Sequence, residues 1–389
     1  MRSRSLLQAL KAQGHDVVMV CCVEDGEIND CPPELAALVE KVAFVRLSSG
    51  KAFDSYVGRL LALLGGQPYG VWRFKHKEIQ SAINSAIAEN HLDALYCDDI
   101  YMYSNIAKSI DIPVLLNKDD ITFEIVEQYE KSARWPVSVY AAIEARRVRE
   151  FEVSSCNRAK TVLACSERDC DALRDAGVTS PVHVLPNVIE VERYHRPSEA
   201  EDTATLLYVG AMDWYPNIDG VRFFAGEILP RIVSQVPNVR FVVAGRNPSP
   251  EFVAELSKDR HIEFTGTVAD IVPYLAAATI CVVPLRIGSG TRLKIIEAAA
   301  AGKAVVSTIL GADGLTFRDD EEIVRVDDPA AFADAVVSLL GDPVRRKSLG
   351  AKARQRAEAE YSITALNQIL SESFAEIGVG RQASISACK

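Results

Sequence analysis

Residues 285–308 read Leu-Arg-Ile-Gly-Ser-Gly-Thr-Arg-Leu-Lys-Ile-Ile-Glu-Ala-Ala-Ala-Ala-Gly-Lys-Ala-Val-Val-Ser-Thr, and the rest of the chain can be placed around them. The preceding run Ile280–Pro284 is short and apolar, as a buried strand requires. Gly288-Ser-Gly-Thr291 is a loop open to backbone conformations closed to larger residues. From Thr291 to Ala301 the apolar spacing predicts a helix, with Leu293, Ile296 and Ala300 on one face and Gly302 as its stop. Ala304–Thr308 is the next strand. A glycine-rich loop therefore joins the C-terminal end of a strand to the N-terminus of a helix, where unpaired backbone N–H groups and the helix dipole favour an anion. Arg292 and Lys294 add two cations there. Glu297, one turn beyond Lys294, is a carboxylate among alanines and isoleucines, which needs a partner. Phosphates at the loop and ribose hydroxyls at the glutamate together describe a nucleotide. The plainer alternative is an ordinary capped loop with Lys294 and Glu297 as a surface pair.

Working outward, strand and helix patterns alternate along all 389 residues, and the apolar runs are continuous rather than alternating. That pattern belongs to parallel sheets covered on both faces. The length predicts two domains. Residues 1–187 form the first and 188–362 the second, with 363–389 as a terminal helix returning to the first, followed by a mobile tail from Gly378. Asn187 to Thr203, with Pro197 and several acidic residues, reads as the linker. In the second half each strand ends in glycine or a small polar residue: Gly210, Gly245-Arg246, Gly266-Thr267 and Ser289-Gly-Thr291. Ligands of such sheets lie beyond these carboxyl ends.

The first half opens on a helix, Arg2 to Gln13, before the strand Asp16–Cys22. A phosphate-binding α/β domain ordinarily begins with a strand and a glycine loop. Either another element fills that slot, or the reading frame lacks its first ~15–25 residues. A single helix is predicted from Phe74 to Asn90. Arg146, Arg147 and Arg149 are assigned to a solvated face. Tyr56, Leu60, Leu61, Leu64, Tyr69, Trp72 and Phe74 are assigned to core packing, with a membrane-borne acceptor as the alternative.

The net charge of −10 argues against a nucleic-acid partner. Six scattered histidines and nine cysteines without a C-x-x-C pair indicate no metal site and reduced packing cysteines of a cytosolic protein. No apolar run approaches the ~18 residues of a membrane span.

Four motifs, Tyr208–Asn217 (YVGAMDWYPN), Val243–Arg246 (VAGR), Phe264–Asp270 (FTGTVAD) and Gly288–Ala298 (GSGTRLKIIEA), in this order and spacing resemble the C-terminal half of family 4 glycosyltransferases. The resemblance is weaker from Ser5 to Asn187, and its nearest look is of the exopolysaccharide-cluster branch. It implies the GT-B fold, two Rossmann-like domains facing each other across a cleft. It also implies a retaining, hexosyltransferase-type enzyme without metal cofactor, using a nucleotide-sugar donor and a glycan or lipid-linked acceptor, with possible peripheral contact at the inner face of the membrane. On positions, Glu297 matches the second glutamate of the family's E-x7-E motif and should hold the ribose. Arg292 and Lys294, with the backbone of Gly290 and Thr291, should hold the diphosphate. Arg246 and the Thr267-Val268 backbone should lie at the base, and Gly210 should pass near the phosphates. The chain departs from the family at Ser289, which stands where the first glutamate would be. It departs again at Asp119, which stands where a histidine is common and is assigned to orient the acceptor or the sugar. A nucleotide-sugar epimerase and a non-catalytic GT-B chain are the rival readings.

Overall fold

The computed structural model describes residues 2–24, 31–47, 56–194, 204–376 and 384–388. The chain divides into two compact units. One takes residues up to Asn187 together with those from Leu366 onward; the other is Val188–Ala365. Each is built on a parallel sheet.

In the second unit the strands are β7 (Thr205–Val209), β8 (Arg240–Ala244), β9 (Ile262–Gly266), β10 (Ile280–Val283), β11 (Ala304–Ser307) and β12 (Val324–Arg325), in the spatial order β12-β11-β10-β7-β8-β9. The chain starts at the centre with β7, runs outward to β9, then reverses and runs from β10 to β12. All four residues of β10 and of β11 are buried, because helices cover both faces. The core includes Phe224, whose ring lies 4.4 Å from that of Phe241 and 6.0 Å from that of Phe332. The helical stretch that begins at Tyr215 and ends at Val233 is interrupted by a π turn at Phe224–Ile228. Pro230 lacks the N–H that would continue the ladder, and the wider turn accommodates the loss.

In the first unit the strands are β1 (Asp16–Glu24), β2 (Lys41–Leu47), β3 (Ala94–Cys97), β4 (Val114–Lys118), β5 (Thr161–Ala164), β6 (Val182–Val184) and β13 (Ser384–Cys388). Their order is β2-β1-β13-β3-β4-β5-β6. This corrects the expectation of a mobile tail: Ser384–Cys388 is a central strand, parallel to β1 on one side and to β3 on the other. In the sheet it lies between β1 and β3. The physical reason is that β1 and β3 each have a row of backbone donors and acceptors on that side, which must be paired when buried.

Other differences are local. The predicted helix Phe74–Asn90 is two helices, Tyr69–Phe74 and Lys77–Glu89. Asn105 replaces the ladder at the break: its Oδ1 accepts from His76 N at 2.9 Å and its Nδ2 donates to Phe74 O at 2.9 Å. The helix Pro33–Ala36 is a single turn, and Lys41 already pairs with Val18 as the start of β2. Helices at Ile100–Tyr103 and Thr122–Ser132 escaped the sequence reading.

Core packing fails as the account of the segment 56–64. Tyr56 is 94% exposed and Leu64 75%, with Leu60 and Leu61 about half exposed. The helix Tyr56–Leu64 lies on the helix Val137–Arg158, where Arg147 donates to Ala62 O and Leu63 O and Arg59 stacks on Tyr69 and Tyr140. Arg147 is thus a tie between helices and not part of a solvated face. Arg149 likewise pairs with Glu127 and lies 4.0 Å from the Phe123 ring centre. Trp135, Val137, Val139 and Ile143, at the start of the long helix, are also exposed.

Candidate functional site

The reversal of strand order in the second unit opens a crevice between the carboxyl ends of β7 and β10, the usual ligand position in such a sheet. Gly210 follows β7. Its N–H donates to Ala244 O, and Met212 N donates to Arg246 O, so the ends of β7 and β8 are laced together. The approach is so close that a Cβ on Gly245 would sit 1.7 Å from Gly210 O. From β10 the chain passes through Gly288 (φ 137°) and Gly290 (φ 74°), both in conformations that favour glycine, into the helix Leu293–Ala300. That helix starts two residues later than the spacing predicts, since Thr291 and Arg292 still belong to the loop.

Lys294 sits in the crevice. Its Nζ donates to Tyr208 Oη at 2.8 Å and to Asn217 Oδ1 at 2.9 Å, and lies 4.2 Å from the Tyr208 ring centre. Tyr208 in turn donates to Asn217 Oδ1 at 2.7 Å, and Asn217 Nδ2 donates to Ala211 O at 2.8 Å. A Cβ on Gly210 would lie 3.0 Å from both the Lys294 ammonium and the Asn217 amide. Burial, and then the charge of Arg292, pull the Lys294 ammonium down to about 7, with Glu297 opposing. A cation so weakened accepts an anion readily, because the anion restores what desolvation removed. Arg292 folds back over the loop, donating to the carbonyls of Ser289 and Gly290. A Cβ on Gly288 would meet its guanidinium at 2.7 Å. In this arrangement Arg292 fastens the loop and supplies positive potential, while Lys294 is the cation that faces Gly210.

Glu297 is 6% exposed. Tyr194 Oη donates to its Oε1 at 2.9 Å; its Oε2 has no protein hydrogen-bond partner among the described residues. Burial pushes the Glu297 carboxyl up, and the Tyr194 hydrogen bond and Lys294 hold it back. Tyr194 belongs to a one-turn helix, Val191–Tyr194, inside the segment that sequence reading treats as linker. Neither Tyr194 nor Asn217 was foreseen as a functional residue. The one sequence signal for Asn217 was its place in the motif after Gly210, and for Tyr194 there was none.

Arg246 projects into solvent, 3.8 Å from Asp213. Thr267 is exposed and Val268 half-buried, just past Gly266 (φ 68°) at the end of β9. Ser289 is half-buried, and its carbonyl is an anchor for Arg292. Gly210, Ser289, Gly290, Thr291, Arg292 and Lys294 are thus gathered at the switch point. Arg246, Thr267 and Val268 stand at the ends of β8 and β9.

The first unit has a second polar rim at the ends of β3 and β4. Asn117 donates to Asp98 at 2.9 Å and to Asp119 at 2.6 Å, holding two carboxylates together. Asp119 is exposed there, with its carbonyl capped by the Cys165 thiol. Beneath it, buried Lys118 meets buried Glu152 at 2.8 Å. Glu152 also accepts from the backbone of Thr122 and Phe123. Burial opposes charge on Lys118, but Glu152 and Asp120 outweigh it and hold its ammonium above the ordinary range. Burial pushes the Glu152 carboxyl up, and Lys118 and the Phe123 N–H hold it back; its bonds to the two backbone N–H groups fix the start of the helix Thr122–Ser132.

Two family models match this chain: one described as Glycosyltransferase Family 4 over residues 2–193, the other as Glycosyl transferases group 1 over residues 203–342. The chain belongs to the family 4 (group 1) glycosyltransferases. A GDP-mannose-dependent monoacylated alpha-(1-6)-phosphatidylinositol monomannoside mannosyltransferase of Corynebacterium glutamicum is 25% identical over 204 residues, 46% of this chain and 52% of that protein. The match thus spans about half the length of that relative. An uncharacterized 44.6 kDa protein in the cps region of Klebsiella pneumoniae is 20% identical over 85% of this chain and 84% of its own length. Among solved structures, sucrose-phosphate synthase from Thermosynechococcus elongatus superposes with a TM-score of 0.72 at 19% identity, over 97% of this chain and 92% of that one. HepE of Anabaena, in complex with UDP and glucose, gives 0.67 at 14% identity, over 96% of each chain.

Proposed function

We propose that this chain is a retaining glycosyltransferase that moves a sugar from a nucleoside diphosphate to an acceptor hydroxyl in the synthesis of a cell-surface glycan. The observation that carries the reading is the pairing of two poles on one helix. Lys294 faces Gly210 at the start of the helix, and Glu297, held by Tyr194, lies one turn on. The first pole suits a diphosphate and the second a ribose. Arg246 and the Thr267-Val268 backbone, beyond β8 and β9, are where the base would lie.

As the sugar–phosphate bond breaks, negative charge grows on the leaving oxygen. Lys294, the first-turn N–H groups and the potential of Arg292 stabilise it without a metal, and removing one such donor commonly costs roughly 10²–10³ in rate. On a front-face path the leaving phosphate takes the acceptor proton, so no protein nucleophile is needed. Asp119, positioned with Asp98 by Asn117, is assigned to the acceptor or the donor sugar. A lipid-linked or polysaccharide acceptor agrees with the phosphatidylinositol substrate in the one relative's name and the cps region in the other's. No helix among the described residues is long and apolar enough to cross a membrane. The exposed face of Tyr56, Leu60, Leu61 and Leu64 supports peripheral contact with a cytoplasmic membrane surface.

The test is a thermal-shift panel of UDP, GDP, ADP and their common sugars, with Glu297→Ala alongside. Ligand at ~100 times its dissociation constant adds ~2.7 kcal/mol. A shift with one nucleotide that vanishes in the variant is expected. A folded sample that responds to none would replace this reading by that of a non-catalytic chain. A new sugar nucleotide formed without acceptor would replace it by an epimerase.

A further inference from the structure

The first unit has a cavity of about 430 Å³ whose lining includes Lys75, Lys108 and Arg158 but no carboxylate. Its place in the fold separates it from the acceptor rim. Lys108 precedes β4 and Arg158 precedes β5, so both enter at the amino edge of the sheet. Asp98, Asp119 and Asp120 stand at the opposite, carboxyl edge.

Three features of the cavity point to a ligand. The chain carries a net charge of −10, and most of its described arginines are matched to an acid, yet here three cations share one concavity. The side chains of Lys75 and Lys108 make no hydrogen bond or ion pair among the described residues, and that of Arg158 has the face of Tyr103, 5.1 Å away. The site is also held open by built structure. Lys75 is thrown out of the helical path at the break between Tyr69–Phe74 and Lys77–Glu89, and buried Asn105, through its bonds to Phe74 O and His76 N, fixes that break. Like charges placed together repel, and an anion among them removes the repulsion. Gln80, Asn84 and Ser154 supply neutral polar groups around the cations. The volume is within the range of small-molecule sites.

We propose that this cavity binds a phosphate-bearing, hydroxyl-rich small molecule of the sugar-phosphate class. Lys75, Lys108 and Arg158 take the phosphate, and Gln80, Asn84 and Ser154 take the hydroxyls. The site is independent of the nucleotide site, which is built by the second unit, so either can fail without the other.

The experiment is acetylation footprinting of the full chain with acetic anhydride, read by mass spectrometry at Lys75 and Lys108, with exposed Lys352 of the second unit as the internal control. Probes are glucose 6-phosphate, inorganic phosphate, glucose, and vesicles containing phosphatidic acid. At ten times its dissociation constant, glucose 6-phosphate should slow modification of both lysines about tenfold and leave Lys352 unchanged. Glucose should do nothing. Arg158→Ala, at an exposed helix end, should abolish the protection, and Lys108→Glu, on an exposed loop, should abolish it at Lys75. Protection by vesicles alone would keep the phosphate site and assign it to a lipid headgroup. No protection by any phosphate, or equal protection in Arg158→Ala, would overturn the proposal.

Discussion

Nucleotide binding should take up a proton at Lys294. In the empty site burial and Arg292 pull its ammonium from 10.5 down to about 7. A folded-state value below the unfolded one means that the unfolded chain binds more protons between those two pH values. This group therefore disfavours the folded state by a few kcal/mol at and below neutrality, and the cost fades as pH rises from about 7 to 10.5. A diphosphate between Lys294, Gly210 and the helix N-terminus returns the ammonium toward its ordinary range. At pH 8 the empty site holds about one tenth of a proton and the filled site nearly a whole one, so binding takes up about 0.9 proton. The same linkage lowers affinity roughly fifty-fold between pH 7 and pH 9. The assay is isothermal titration calorimetry at pH 8 with the nucleotide that the panel selects, in two buffers of different ionisation enthalpy. At that pH the terminal phosphate of the nucleotide is already ionised. Lys294→Met should bind more weakly and without proton uptake. An uptake near zero in the native chain, or the same uptake in Lys294→Met, would refute the argument.

Tyr194→Phe removes the hydrogen bond that Glu297 accepts from Tyr194, its one such bond among the described residues. It should weaken nucleotide binding and cost about 1–3 kcal/mol of stability, measured by calorimetry and urea unfolding. Gly210→Ala places a methyl group 3.0 Å from the Lys294 ammonium and the Asn217 amide, so nucleotide affinity should fall while the melting temperature changes little. Glu152→Ala strands the buried Lys118 charge, and chemical denaturation should report a loss of about 3–5 kcal/mol. Ser386→Pro removes a backbone donor from the central strand β13. Hydrogen exchange at β1 and β3 should then accelerate, and unchanged protection would count against that strand's placement.

Much of this protein is legible along the chain because the relevant forces are local. Periodicity located the strands β7, β8, β10 and β11 to within a residue or two, since a strand buried on both faces must be apolar without interruption. The glycine loop was legible for the same reason: Gly288 and Gly290 take positive φ, and that demand is written into the residue itself. Glu297 was visible as a carboxylate in apolar company. Where propensity and tertiary contact competed, the contact won. Asn105, fifteen residues beyond the predicted helix, broke it after Phe74 by offering its own donor and acceptor. The segment Tyr56–Leu64 has the spacing of a core helix, and only the packing of the surrounding elements decides that most of its apolar side chains face outward.

By itself, then, the sequence determined the class of fold and the glycine loop that leads into the helix Leu293–Ala300. Each depends on residues within a few positions of one another. The tertiary structure alone decided what comes from afar. It set Tyr194 on Glu297 across 103 positions and Lys294 on Tyr208 across 86. It also brought Ser384–Cys388 between β1 and β3, about 370 residues after β1 began. A strand carries no label for its neighbours; backbone donors and acceptors pair with whatever extended segment the fold brings beside them, and that choice exists only in three dimensions.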